Sequence, residues 1–199
     1  MKPLFFILVM TSFLLFSCTD EKKEQVTPPV STEKNLFEEL KDRTASNPKD
    51  AEAWYHLSDL YERSEMYREE VNALQKVIAI DPQRGYAYVK LGNAYSRLGQ
   101  YQEAINSYTK AIKFFPKNPV LYNNLAIAYG KVGKTDDEIL ALQKAIAQRP
   151  RYATARYNLG IALLKKGKRS QALTQYHELD TFDAGVAAAL KKEIDRKEK

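Results

Sequence analysis

One spacing constrains this chain more than any other feature. Leu57, Leu91, Leu125 and Leu159 are 34 residues apart, as are Tyr61, Tyr95 and Tyr129, and as are Pro48, Pro82, Pro116 and Pro150. Three residue types locked to one register mark an internal repeat, and a repeat of roughly 20–50 residues means an array whose units complete their cores by stacking on neighbours. Glycines 99, 133 and 167 fall inside the units at the same register. Glycine suits the left-handed backbone between two helices, and proline disfavours helix at the residue before it. The units therefore read as antiparallel helix pairs over 51–84, 85–118, 119–152 and, in degenerate form, 153–186. Gly92, Gly160 and Ala126 are small enough to let paired helices approach closely. Thr135-Asp136-Asp137-Glu138 reads as a capping box opening the second helix of the third unit.

These units resemble the tetratricopeptide repeat family. The second unit matches best, with Tyr88, Leu91, Gly92, Tyr95, Tyr101, Ala104, Tyr108, Ala111 and Pro116 at the family's positions. The first supplies Trp54, Leu57, Tyr61, Tyr67, Leu74 and Pro82, with Ser58 for the small glycine and Glu70 where alanine is usual, which implies looser packing there. The third keeps Tyr122, Leu125, Ala126, Tyr129, Leu142, Ala145 and Pro150. The fourth has Leu159, Gly160, Ala172 and Tyr176, but Arg156 replaces an aromatic and no proline closes it. The resemblance implies an all-α, right-handed superhelical solenoid of helix pairs. Amphipathic stretches are expected to cap both ends: 33–46, with Leu36, Phe37 and Leu40 on one face, and 184–199, with Val186, Leu190 and Ile194 at spacing four.

The same resemblance implies a concave groove lined by each unit's first helix. Transferred by position, the first unit offers Glu52, Tyr55, Asp59, Glu62 and Arg63; the second offers Tyr86, Val89, Asn93, Ser96 and Arg97. The third offers Val120, Asn123, Ile127, Gly130 and Lys131, and the fourth Thr154, Tyr157, Ile161, Leu164 and Lys165. The cation ladder Arg63, Arg97, Lys131 and Lys165 has two readings, a carboxylate-binding strip or four charges complementing helix C-termini. The carboxylate clamp of some family members is incomplete here: Asn93 and Asn124 occupy clamp positions, but Val89, Thr154 and Asn158 replace basic ones. A groove acidic at its start and apolar-aromatic towards the fourth unit suits a peptide or helix with one basic end and one hydrophobic anchor.

Location is written in the first residues. A lone Lys2, an apolar run from Leu4 to Phe16 and Ser17 form a secretory leader over 1–17; the run is shorter than the roughly 20 residues a membrane span needs. Leu15-Phe16-Ser17-Cys18 resembles the bacterial lipobox, although Phe16 is larger than the usual residue. Acylation at Cys18, the only cysteine, would anchor the mature chain. Residues 18–32 are polar and proline-punctuated, as a flexible tether should be. Thr19 rather than aspartate after the cysteine favours, by resemblance to Gram-negative sorting, the outer membrane facing the periplasm.

Catalysis has little to work with. One cysteine forbids an intramolecular disulfide framework, His56 and His177 lie in different units, and no glycine-rich phosphate loop is present. No cofactor or metal is implied; Asp136-Asp137-Glu138 is explained by the helix dipole. Residues 18–84 carry 10 Lys+Arg against 15 Asp+Glu, and residues 85–199 carry 20 against 10. The net charge of +6 thus conceals an acidic first part and a basic second part, a field that orients an approaching partner; export argues against nucleic acid. The expectation is a non-enzymatic, membrane-anchored scaffold with a protein or peptide in its groove. Pilotin-like or hydrolase-adaptor-like lipoproteins share this architecture, and the alternative is an envelope glycan or small-ligand receptor using Tyr55, Tyr86 and Tyr157 as stacking platforms.

Overall fold

The computed structural model describes residues 30–196. The leader, Cys18 and most of the proposed tether lie outside the described residues. Ten α-helices and no strands occur among the described residues. α1 (Val30–Ser46) precedes four helix pairs: α2 (Ala51–Arg63) with α3 (Tyr67–Ile80), α4 (Gly85–Arg97) with α5 (Tyr101–Phe114), α6 (Pro119–Lys131) with α7 (Thr135–Gln148), and α8 (Ala153–Lys165) with α9 (Arg169–Asp180). α10 (Ala184–Arg196) closes the series. Each helix packs on its predecessor and successor, and α10 also folds back onto α8. The protein is an all-α helical repeat solenoid.

Local chemistry sets the punctuation. Asp50 caps α2 by accepting from the Ala53 N–H at 2.9 Å and also holds Arg43 at 2.7 Å. Asn118 caps α6 by accepting from the Val120 N–H at 3.0 Å, with Pro119 in the first helical position. Gly99, Gly133 and Gly167 have φ of 74°, 77° and 71°, as their register required. The matching position of the first pair is Glu65, with φ 57°. A side chain there costs roughly 1 kcal/mol, and a Cβ added at Gly99 would meet nothing within 4 Å, so at this register the backbone term stands alone. Glu65→Gly is therefore expected to raise the thermal midpoint by about 2–4 °C, and Gly99→Ala to lower it similarly. Equal midpoints in scanning calorimetry would count against the backbone argument.

The core runs along the array as adjoining clusters at each junction, with Leu40, Leu57 and Leu60 at one end and Leu159, Leu163, Leu179, Leu190 and Ile194 at the other. Close approach is visible at Gly92, where an added Cβ would lie 2.5 Å from the Tyr108 ring, and at Gly160, where it would lie 2.6 Å from Leu190.

Four expectations need correction. α1 begins at Val30, so the last three residues assigned to the tether are helical. Its inward stripe is half-buried Phe37 with buried Leu40 and Thr44; Leu36, four residues before Leu40, is exposed. The capping box at Thr135 does not form: Lys134 precedes the helix without a side-chain cap, Thr135 is already its first residue, and Glu138 is buried elsewhere. Nor does Glu70 loosen the first pair, since Ser58, Ala73 and Leu74 around it are fully buried. No described helix is long and apolar enough to cross a membrane.

Candidate functional site

The first helices of successive pairs present the same register to one side, and a cavity of about 520 Å³ opens there across the first three pairs. α2 contributes Glu62 and Arg63, α4 contributes Asn93, Ser96 and Arg97, and α6 contributes Asn124 and Ile127. Behind them, α3 and α5 supply Tyr67, Glu70 and Tyr108. The back wall is fixed by hydrogen bonds. The buried Tyr108 hydroxyl donates to Asn93 Oδ1 at 2.9 Å and lies 3.3 Å from Ser96 Oγ, while Asn124 donates to the same Asn93 oxygen at 3.4 Å. The clamp-like asparagines are thus engaged with one another.

Ion pairs tie the first helix pair to the second. Lys90 pairs with Asp59 at 2.7 Å and with Glu62. Burial alone would depress the Lys90 ammonium, but its two carboxylate partners outweigh that and hold its pKa above the usual lysine value. Glu52 accepts both its bonds from Arg84, at 2.7 and 2.9 Å, and that guanidinium covers the Tyr55 ring at 4.3 Å. The Arg84 hydrogen bond holds the Glu52 carboxyl below the ordinary range.

Glu70 and Glu138 occupy the same register in the first and third pairs, where the family carries alanine, and both are buried. Glu138 fills the space in front of Gly130 and accepts from Lys165 Nζ at 3.4 Å through each oxygen. Burial pushes the Glu138 carboxyl above its ordinary pKa, with Lys165 opposing. Glu70, 2% exposed, is pushed up to about 7, first by burial and then by the Glu62 charge. Its counterpart cation Arg97 lies instead over the Tyr67 ring, at 5.9 Å.

The transferred groove positions divide accordingly. Glu62, Arg63, Asn93, Ser96, Arg97 and Ile127 meet at the cavity. Asn123 does not: it is 4% exposed and accepts from Asn158 Nδ2 at 3.1 Å, because the next first helix packs over it. Val89 leans on the core around Tyr88, and Tyr157 and Ile161 on the core of the fourth pair, where Leu164 is buried. Of the apolar-aromatic positions expected at the fourth unit, Leu164 is thus taken up by the fold, while Tyr157 and Ile161 stay half-buried. Lys131, Val120 and Thr154 are exposed away from the cavity. The tyrosine platform is dispersed as well, with Tyr55 covered by Arg84 and the 64%-exposed Tyr86 tilted onto Phe115 at 4.6 Å. The cation ladder is not one strip, since all four residues end first helices but Lys165 turns to Glu138 and Arg97 to Tyr67. Transfer of first-helix positions missed Tyr67, Glu70 and Tyr108, which reach the cavity from second helices. Asp136 pairs with Lys166 at 3.0 Å, apart from Glu138.

Family models described as tetratricopeptide repeat match residues 51–84, 73–106 and 123–187, and one described as TPR repeat matches 92–133. No curated protein matches the sequence. Among solved structures, a crystal structure of MamA superposes with a TM-score of 0.70 at 22% identity, covering 83% of this chain and 94% of that one. MamA from Desulfovibrio magneticus RS-1 gives 0.69 at 19% identity over 81% and 87%. YrrB, described as a TPR protein with an unusual peptide-binding site, gives 0.75 at 20% identity over 82% and 85%. At these identities the likeness is one of fold.

Proposed function

We propose that this chain, which across residues 51–187 belongs to the tetratricopeptide repeat family, is a non-catalytic adaptor that holds a segment of a partner protein in the cavity of its first three helix pairs. The observation that carries this reading is the cavity itself. A preformed concavity of about 520 Å³, walled by three consecutive first helices, accepts side chains of an extended or helical segment without rearrangement. Its mixture of fixed amides, one exposed aliphatic residue and charges of both signs suits a polypeptide. The description of YrrB as peptide-binding supports the same class of occupant. Fold alone does not specify the partner.

The adaptor works at the bacterial envelope, held by acyl chains on Cys18, with the outer membrane as the favoured site and pilotin-like or hydrolase-adaptor-like assembly as its role. The lipobox-like sequence before Cys18 supports this. The acidic first pair then lies nearest the tether, and the basic later pairs lie farther along the chain.

Ile127, 42% exposed at the cavity, and Leu140, 57% exposed on α7 outside it, separate the groove from general stickiness. Ile127→Glu is expected to cut capture of the partner at least tenfold in affinity pull-down, with Leu140→Glu leaving it unchanged. The reverse order would contradict the groove reading. Independently, Cys18→Ala is expected to move the protein from the membrane to the soluble fraction; unchanged membrane retention would contradict the anchor.

A further inference from the structure

Glu70 has a feature that packing does not explain. It is 2% exposed, yet among the described residues no hydrogen bond or ion pair reaches its carboxylate, which lines the cavity. Buried carboxylates are normally paired or protonated, because desolvation without a partner is costly. No side-chain oxygen or nitrogen among the described residues is sealed from solvent without a partner, so the unpaired Glu70 oxygens open into the cavity.

The repeat provides an internal comparison. Glu138 stands two units further on and accepts from Lys165 through both oxygens. Arg97 stands at the position corresponding to Lys165, and its guanidinium lies against the Tyr67 ring. The residue corresponding to Gly130 is Glu62, which brings a second carboxylate towards Glu70. Lys90, the other neighbouring cation, is shared between Asp59 and Glu62. The third and fourth pairs thus satisfy their buried acid from within, whereas the first and second leave theirs facing the groove.

We infer that Glu70 is the seat of a basic side chain of the partner: a lysine or arginine of the bound segment enters the cavity between the first three helix pairs and its cationic head pairs with the Glu70 carboxylate. This rests on the groove reading above and gives it a chemistry. The back wall of Asn93, Asn124 and Tyr108 fixes the depth of the cavity, and the Tyr67 ring lines the path of the aliphatic stem. An arginine fork or a lysine ammonium would make charge-assisted bonds there. The same residue read as a packing substitution would be indifferent to what enters the groove.

The test uses residues 18–199 with Cys18→Ala, which retain every described helix, and the probe N-acetyl-arginine amide. Its neutral counterpart, N-acetyl-citrulline amide, keeps the shape and removes the charge. In amide NMR titrations the arginine probe is expected to give saturable shifts centred on Tyr67, Glu70, Asn93 and Arg97, at least fivefold tighter than citrulline. Groups facing Glu70 are Asp59 and Glu62 on α2 and Lys90 and Arg97 on α4. With Glu70 half-ionised at about 7, binding should tighten by about tenfold from pH 6 to pH 8. Glu70→Gln should abolish both the preference and the pH dependence, and Glu70→Asp should restore part of each.

Equal binding of arginine and citrulline, or no change in Glu70→Gln, overturns the assignment. So does a free diamine, putrescine, binding more tightly than the arginine probe, since that makes the cavity a polyamine site. Partner capture that survives Glu70→Gln but is lost in Ile127→Glu removes this inference and leaves the groove reading standing. Capture that survives both removes the groove reading.

Discussion

Leu190→Asp is expected to detach the C-terminal helix and expose the fourth helix pair to solvent. Ala187, Leu190 and Ile194 are fully buried against α8 and α9, and the methyl groups of Leu190 occupy the space that Gly160 leaves open. A carboxylate cannot stay ionised in that position without a partner, so α10 undocks and takes the burial of Leu190 and Ile194 with it. At roughly 1.5–3 kcal/mol for each large aliphatic side chain, the docking lost is about 3–6 kcal/mol. Hydrogen exchange reads this directly. Amides of α8 and α9 should lose protection by about 10²–10⁴-fold, while those of α2 to α5 change little, because units of a solenoid couple to their neighbours. Arg169, which donates to the Ile194 carbonyl at 2.5 Å, should lose that tie as well. Unchanged protection in α8 would show that α10 is dispensable as a cap.

Glu70→Gln is expected to stabilise the fold above neutral pH while weakening recognition. Glu70 titrates near 7 in the folded chain against 4.5 for an unperturbed glutamate, because burial and then Glu62 disfavour its charge, with Lys90 and Arg97 opposing and Asp59 adding to the effect. A carboxyl raised in this way makes the folded state bind more protons than the unfolded one between those two values. Stability therefore falls as pH rises from 4.5 towards 7 and levels off above. The shift corresponds to an upper value of roughly 3 kcal/mol at pH 8, reduced by the solvent that reaches the carboxylate from the cavity. Wild type and Glu70→Gln should share a midpoint near pH 4.5, with the variant several degrees more stable at pH 8. Parallel midpoints at both pH values would show that Glu70 is not a strained acid. Stability given up at a position that faces the groove is the usual mark of a functional residue.

The register of this fold was legible because it is enforced by residues with few substitutes. Gly99, Gly133 and Gly167 stand where the backbone needs positive φ, and Pro82, Pro116 and Pro150 follow the ends of the second helices. Leu57, Leu91, Leu125 and Leu159 repeat because each is buried at an equivalent junction. The degenerate fourth unit forms a helix pair without its proline, since α10 packs across it.

The site was less legible. Position transfer names residues one helix at a time, whereas burial of Asn123 depends on Asn158 from the following pair. Glu70 reads in sequence as a poor fit at an alanine position, and nothing local says that its counterpart Glu138 finds Lys165 while Glu70 meets Glu62 and an Arg97 turned towards Tyr67. The capping box failed for the same reason: Thr135 and Glu138 have the right spacing, but the long-range Lys165 contact and the space before Gly130 claim the carboxylate. Tyr108 belongs to the core by pattern, yet its hydroxyl organises the cavity wall. Pairwise contacts between neighbouring units, rather than the repeat itself, decide which polar residues are free to recognise a partner.

Site-specific photocrosslinking in cells separates a cavity of the first three pairs that receives a partner polypeptide from one that does not. A benzophenone side chain placed at position 127 projects into that cavity, and one at position 140 projects from α7 outside it. A discrete protein adduct is expected from position 127, absent from position 140 and lost when Glu70→Gln is combined with the probe. An adduct from position 140 with none from position 127, or equal yields from both, would contradict the groove reading.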